Sequence, residues 1–229
     1  MVNKSFLKSE FETARAKKPP QKPKVALANL RQGSSEELYV QASVSSCELN
    51  ACCSDGEELQ ELSVNQCVFK DCAFRDCDFE GSLFEDTIFM NCDFSNSTFV
   101  LCGFKRCELL QCKCTGVNAS ESLFEHTTVS GSIFMMATFN RASCKNVAVK
   151  TCDFTGADMS GSDFSSVAIS DSKFNKVSFC KTSLKGLDLT TCQIDGITLS
   201  DSLVELHGCK VATNQLGTLA HLIGILVEE

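Results

Sequence analysis

The sequence predicts an all-β solenoid, a chain wound into a long coil of short strands around one core. Three observations carry this. Between residues 64 and 204 a large or apolar residue returns at every fifth place, with no insertion or deletion. Fifteen of the 17 Phe fall on that place, the other two being Phe6 and Phe11. The residue two places earlier is small or compact, as at Cys67, Cys72, Cys77, Ser82, Thr87, Cys92, Ser97 and Cys102.

Neither regular secondary structure accounts for a step of five. On an α-helix each residue turns about 100°, so a five-residue step drifts about 140° and spirals the Phe around the cylinder. On a strand the side chains alternate with period two, so an odd step sends successive Phe to opposite faces. An inward Phe in every block requires a chain that changes direction once per block. The residue two before the Phe then shares its face and also points inward, and the other places are mostly polar and face outward.

The elements follow in order. Residues 1–38 form a basic arm: residues 1–31 hold eight Lys/Arg against two acids and all three Pro, in KKPPQKPK. That composition predicts a disordered or loosely held segment, within which SFLKSEFETARAKK has the spacing of a short amphipathic helix. Residues 39–63 predict an N-terminal cap with an irregular coil. Val44 and Leu49 sit on the five-residue register, SDGEELQE at 54–61 breaks it, and the seven acids of residues 32–63 are unbalanced by any base. Residues 64–208 are the repeat array. Within it Leu109, Cys114 and Ala119 replace rings consecutively, which predicts a weakly packed coil. Residues 209–229 depart from the repeat: Leu216, Leu219, Ala220 and Ile223 have helical spacing, Gly224 is a helix stop, and ILV reads as a strand.

Composition bounds the function. No apolar run approaches the length of a membrane span, and the first residues lack the apolar middle of a secretory signal. The chain is read as soluble and cytoplasmic. Sixteen Cys would suggest a disulfide framework in a small secreted protein. Here nine of them take the small inward place and two are centres, so they read as reduced core fillers. Cys72, Cys92 and Cys112 share one inward column, and Cys47, Cys52, Cys53 and Cys67 lie near the start of the array without metal-ligand spacing. His126, His207 and His221 have neither metal nor triad spacing, and no phosphate loop or nucleophile elbow occurs. No catalytic, cofactor or metal residue is assigned, and the chain is expected not to be an enzyme.

Blocks such as CDFTG ADMSG SDFSS (residues 152–166) and CAFRD CDFEG resemble the pentapeptide-repeat family over about 60% of the chain, as set by a tandem five-residue register. The resemblance implies a right-handed quadrilateral β-helix with four blocks per coil, to which spacing adds a short C-terminal helix and composition a disordered N-terminal arm. The tail is similar to that of the gyrase-binding, quinolone-resistance branch, which implies a homodimer through Leu216, Leu219, Leu222, Ile223, Ile225 and Val227. Two binding roles follow. In the first, the mildly acidic rod mimics duplex DNA and modulates or protects DNA gyrase or topoisomerase IV, with no nucleic acid bound by the rod itself and no membrane. In the second, the rod is a protein-interaction scaffold, adaptor or inhibitor that uses apolar residues at outward places: Leu83, Ile88, Met90, Leu101, Leu110, Leu123 and Ile133. A continuous negative stripe favours the first, and an apolar patch amid mixed charge favours the second.

Overall fold

The computed structural model describes residues 21–24, 31–33, 38 and 43–227; the helix expected over 5–18 lies outside them. From Ser43 onward the chain is a parallel β-solenoid with four blocks per coil. The device that makes it turn sits two places after each centre. Asp71, Asp76, Asp86, Asn91 and Asn96 all have φ between 51° and 61°, and Gly81 and Gly116 have 71° and 70°. This left-handed region is open to Gly and least unfavourable for Asn and Asp. One such residue per block redirects a three-residue segment, and four of them close a coil.

Two faces are continuous sheets. Face one stacks Ser43–Ser45, Ser63–Asn65, Leu83–Glu85, Gly103–Lys105, Leu123–Glu125, Ser143–Lys145 and Asp163–Ser165 as seven parallel strands. Face two stacks β1 (Arg31–Gln32) on Cys47–Asn50, Val68–Lys70, Ile88–Met90, Glu108–Leu110, Thr128–Ser130, Ala148–Lys150 and Ala168–Ser170. Faces three and four are joined coil to coil by isolated bridges such as Ala73–Asp93 and Asp78–Thr98. Their blocks often read Asp or Asn, centre, Ser or Thr. In them the carboxylate or amide oxygen accepts from the main chain and hydroxyl two residues on, as Asp93 does from Ser95 N–H at 3.0 Å and Ser95 Oγ at 2.5 Å. This local bond competes with strand geometry and tightens the turn.

The centres fill the interior as ring ladders. Phe79 and Phe99 stack at 4.8 Å, Phe84 and Phe104 at 5.0 Å, and Phe134 and Phe154 at 5.0 Å. These spacings follow from the coil rise of about 4.8 Å between paired strands. The inward Cys, Ser and Thr do more than fit. The Cys107 thiol donates to the Phe84 carbonyl at 3.2 Å, and the Ser97 hydroxyl to the Phe74 carbonyl at 2.6 Å. Ser97 Oγ also accepts from Cys77 N–H at 3.0 Å. Where Cys, Ser or Thr takes this place, its donor satisfies a backbone carbonyl of the preceding coil.

Both ends differ from the sequence expectation. At the N-terminal end the register does not break over 54–61: Ser54 and Leu59 are buried, and Cys53–Ala73 and Glu58–Asp78 bridge to the next coil. β1 and the buried Leu38 cover this end, with Gly33 N–H donating to the Glu48 carbonyl at 2.8 Å.

At the C-terminal end the five-residue register stops before Val204, which is exposed. Through most of the rod an N–H meets the carbonyl 19 residues on, as Phe179 meets Thr198, but Leu184 meets Glu205 and Leu189 meets Lys210, two residues further along. The extra residues bring Glu205 inward. Its carboxylate accepts from Lys181 N–H at 2.8 Å and from the Ser200 hydroxyl. Gln215 then donates to the carbonyls of Leu189 at 2.9 Å and Cys192 at 2.6 Å. These two side chains take over the donor and acceptor duties that a further coil would have met. The short helix α1 (Leu216–His221) follows, Gly224 at φ 75° ends it, and Ile225–Val227 form no strand.

Candidate functional site

The apolar residues at outward places do not make one patch; the topology divides them among three faces. Leu83 and Leu123 flank Gly103 on face one, each in register with it, and Leu101 precedes Gly103 by two residues at the neighbouring corner. They are 45%, 45% and 55% exposed. Leu83 leans over the glycine so closely that a Cβ there would meet Leu83 Cδ1 at 2.8 Å. Ile88, Met90 and Leu110 sit half-buried on face two, and Ile133, Met135 and Met136 are exposed on face three.

Charge is organised in rows of alternating sign one coil apart. Lys105 reaches Glu85 at 3.3 Å, Lys145 reaches Glu125 at 3.5 Å, Lys113 reaches Asp93 at 3.4 Å and Lys173 reaches Asp153 at 3.5 Å. Arg141 pairs with Glu121 at 3.0 Å. A carboxylate ladder whose every second rung is a cation does not present the unbroken charge of a phosphate backbone. The exception is the first two coils of faces three and four, where Glu57, Glu58, Glu61, Asp76 and Glu80 are exposed beside the Arg75–Asp55 pair at 3.5 Å. The rod is thus a largely paired surface with one acidic end.

A buried ion pair marks the corner between faces one and two. Arg106 Nε and Nη2 each donate to a different Asp86 oxygen at 2.7 Å, and Nη2 also reaches Glu85 at 2.6 Å. Asp86 is 3% exposed. Burial pushes its carboxyl up, but the Arg106 hydrogen bonds and the Lys24 N–H outweigh this and hold it below the ordinary value. Against this corner lie described residues of the arm. Lys24 N–H donates to Asp86 Oδ1 at 3.0 Å and Gln21 N–H to His126 Nδ1 at 3.3 Å. Sequence reading missed this contact, because main-chain donors carry no residue signature. It also missed the corner residues, although Asp, Asn and Gly at the last place of many blocks were a visible signal.

The column of Cys72, Cys92 and Cys112 is buried. A hydrogen bond with Cys112 and burial push the Cys92 thiol up to about 12, and burial pushes Cys102 and Cys107 up to about 12 as well. Such thiols are poor nucleophiles. Among the described residues no three His, Cys, Asp or Glu converge to hold a metal ion. The interior has a cavity of about 70 Å³ lined only by carbon and sulfur groups, among them Phe124, Val129, Cys144, Val149 and Phe164. A smaller void of about 30 Å³ lies beside Leu109, Cys114 and Ala119. The thin packing expected at that coil is present, but the larger gap falls one to two coils later, where Val129, Cys144 and Val149 leave two adjacent ladders short of rings.

At the C-terminal end Leu219 and Leu222 pack against the last coil, while Leu216, Ile223, Ile225 and Val227 are exposed and Leu226 is 88% exposed. No helix among the described residues is long and apolar enough to cross a membrane.

Comparison with known proteins agrees with this architecture. Residues 65–108 match the family described as pentapeptide repeats (9 copies). Among solved structures the rod is similar to HetL, a pentapeptide-repeat protein involved in heterocyst differentiation regulation in the cyanobacterium Nostoc sp. strain PCC 7120. That likeness has a TM-score of 0.51 at 11% identity and covers 75% of this chain and 88% of HetL. A trypsin-treated variant of QnrB1, a plasmid-mediated fluoroquinolone resistance protein, matches with a TM-score of 0.47 at 18% identity, over 79% of this chain and 100% of that one. No curated protein sequence matches.

Proposed function

This chain belongs to the pentapeptide-repeat family, and from that premise we propose that it is a non-enzymatic binding rod that holds a protein partner on the corner formed by Leu83, Leu101 and Leu123. One observation carries the reading. Three leucines about half exposed surround a glycine on a face whose neighbouring charges are already paired, so the uncommitted binding energy there is apolar. The raised, buried thiols speak for structural rather than nucleophilic cysteines, and we place the chain in the cytoplasm, where such thiols persist in reduced form. The exposed apolar end at Leu216, Ile223, Ile225 and Val227 would pair two copies.

The test compares wild type with Leu101→Asp as bait in quantitative cross-linking from the host. A partner captured by wild type and lost from the variant, with the melting temperature unchanged, supports the corner. Identical capture by both sinks it.

A second reading is kept because of the acidic first coils. A topoisomerase, DNA gyrase or topoisomerase IV, would engage Glu58, Glu61 and Glu80 in place of DNA. Supercoiling by purified gyrase should then change in a salt-dependent way, and the triple Gln variant should lose the effect. No effect of the wild type at any dose refutes it.

A further inference from the structure

The corner between faces one and two lies apart from the leucine corner and carries its own occupant. Gln21–Lys24 lies against it, anchored by two main-chain N–H groups, Gln21 on His126 Nδ1 at 3.3 Å and Lys24 on Asp86 Oδ1 at 3.0 Å, with the Lys22 and Lys24 charges acting on Glu108 and Asp86. His126 and Asp86 occupy equivalent places two coils apart. Two coils span about 9.6 Å, from the strand spacing of about 4.8 Å. Three residues of a polyproline-type chain rise about 9.3 Å and complete one turn, so residues i and i+3 present their N–H groups alike. The rise of the rod and the rise of an extended Pro-containing chain therefore match at every second coil.

The acceptor side is held in place by the rod itself. Asp86 is clamped by two Arg106 donors at 2.7 Å and buried, so its Oδ1 is presented at a fixed position. Lys22 lies between the two anchored residues in sequence, and its charge offsets part of the burial that holds the Glu108 carboxyl above its ordinary value. Pro23 occupies the place next to Lys24, and its fixed φ lowers the entropy lost on docking.

We propose that this corner is a docking track for an extended Lys- and Pro-containing peptide of a protein partner, and that residues 21–24 are its occupant in cis. The arm acts as a built-in competitor. A partner segment binds only by displacing it, and the same main-chain geometry reads both. Since the anchors are backbone N–H groups, the track selects an extended chain with cations beside Pro rather than one side-chain sequence.

The probe is a fluorescein-labelled peptide of residues 16–27, titrated by anisotropy into the full chain and into the full chain carrying Lys22→Glu and Lys24→Glu. The peptide is expected to bind the charge-reversed chain at least tenfold more tightly than wild type. Adding Asp86→Ala to that chain should weaken binding at least tenfold. His126→Ala, at a half-exposed position, should weaken it severalfold and keeps the test readable should the Asp86 variant not fold. In wild type, peptide should also accelerate tryptic cleavage after Lys24. Equal affinity for wild type and the charge-reversed chain, or affinity indifferent to both Asp86→Ala and His126→Ala, overturns the proposal. So does a light-scattering mass that falls on adding peptide, which would place the arm on a second copy.

Discussion

Replacing Cys144 with Phe should stabilise the rod, against the usual direction of core mutations. On face one Phe84, Phe104 and Phe124 stack at 5.0 and 4.9 Å, and Cys144 interrupts the column before Phe164. The cavity of about 70 Å³ opens beside it. At about 24 cal/mol per Å³ of residual cavity, filling it recovers about 1.7 kcal/mol. For a chain of this size that raises the melting temperature by roughly 3–7 °C. Overpacking is the opposing term, at about 1–3 kcal/mol if the ring fails to find a rotamer, so Cys144→Leu is measured beside it as a smaller filler. Urea and thermal unfolding followed by circular dichroism give the midpoints, and Phe124→Ala should move them the other way by about 3–5 kcal/mol. If both fillers lower the midpoint, the ladder is not short of a ring at this position and the reasoning fails.

Other expectations concern the ends, the corners and the thiols. Gln215→Ala should destabilise by about 1–3 kcal/mol, because two buried carbonyls lose their donor; an unchanged urea midpoint would show that the last coil is not closed this way. Burial pushes the Glu205 carboxyl up, but hydrogen bonds from Ser200 and main-chain N–H groups hold it below the ordinary value. Its stabilisation is thus present above the unfolded carboxylate value of about 4.3 and is lost as pH falls through the lower folded value. The midpoint gap between wild type and Glu205→Gln should close on acidification, and a gap constant from pH 7 to 3 contradicts the assignment. Thr151 is β-branched at φ 53°, so Thr151→Asn should add about 1 kcal/mol, read by thermal melting. In native protein a thiol reagent at pH 8 should modify Cys53 first and leave Cys102, Cys107 and Cys112 unreacted until unfolding; rapid reaction of the buried set would refute the inward column.

The five-residue period was enough to place every centre from Phe69 to Phe179, because a coil that turns once per block can put only one side chain per block inside. The same regularity misled at its edges. It carried the register on to Val204, where two extra residues instead turn Glu205 inward, and it read residues 54–61 as a break. Periodicity reports only what neighbouring coils share, and an end has a neighbour on one side. The candidate surface was half legible. Outward apolar residues could be named, but only the fourfold winding separates Leu83, Leu101 and Leu123 from Met90 and Ile133. The acid count suggested a negative rod, and the one-coil spacing of Lys105, Lys113, Lys145 and Lys173 turned most of it into paired rows.

By itself, then, the sequence determined the repeat: a small inward residue and a large apolar centre return every five residues, which requires a chain that turns once per block around one core. Tertiary structure decided which residues 20 or more apart meet, and so where charge cancels, where rings are missing and what covers the ends. It alone brought Gln21 and Lys24 onto His126 and Asp86, since a main-chain donor has the same chemistry at every position until the fold sets an acceptor opposite it.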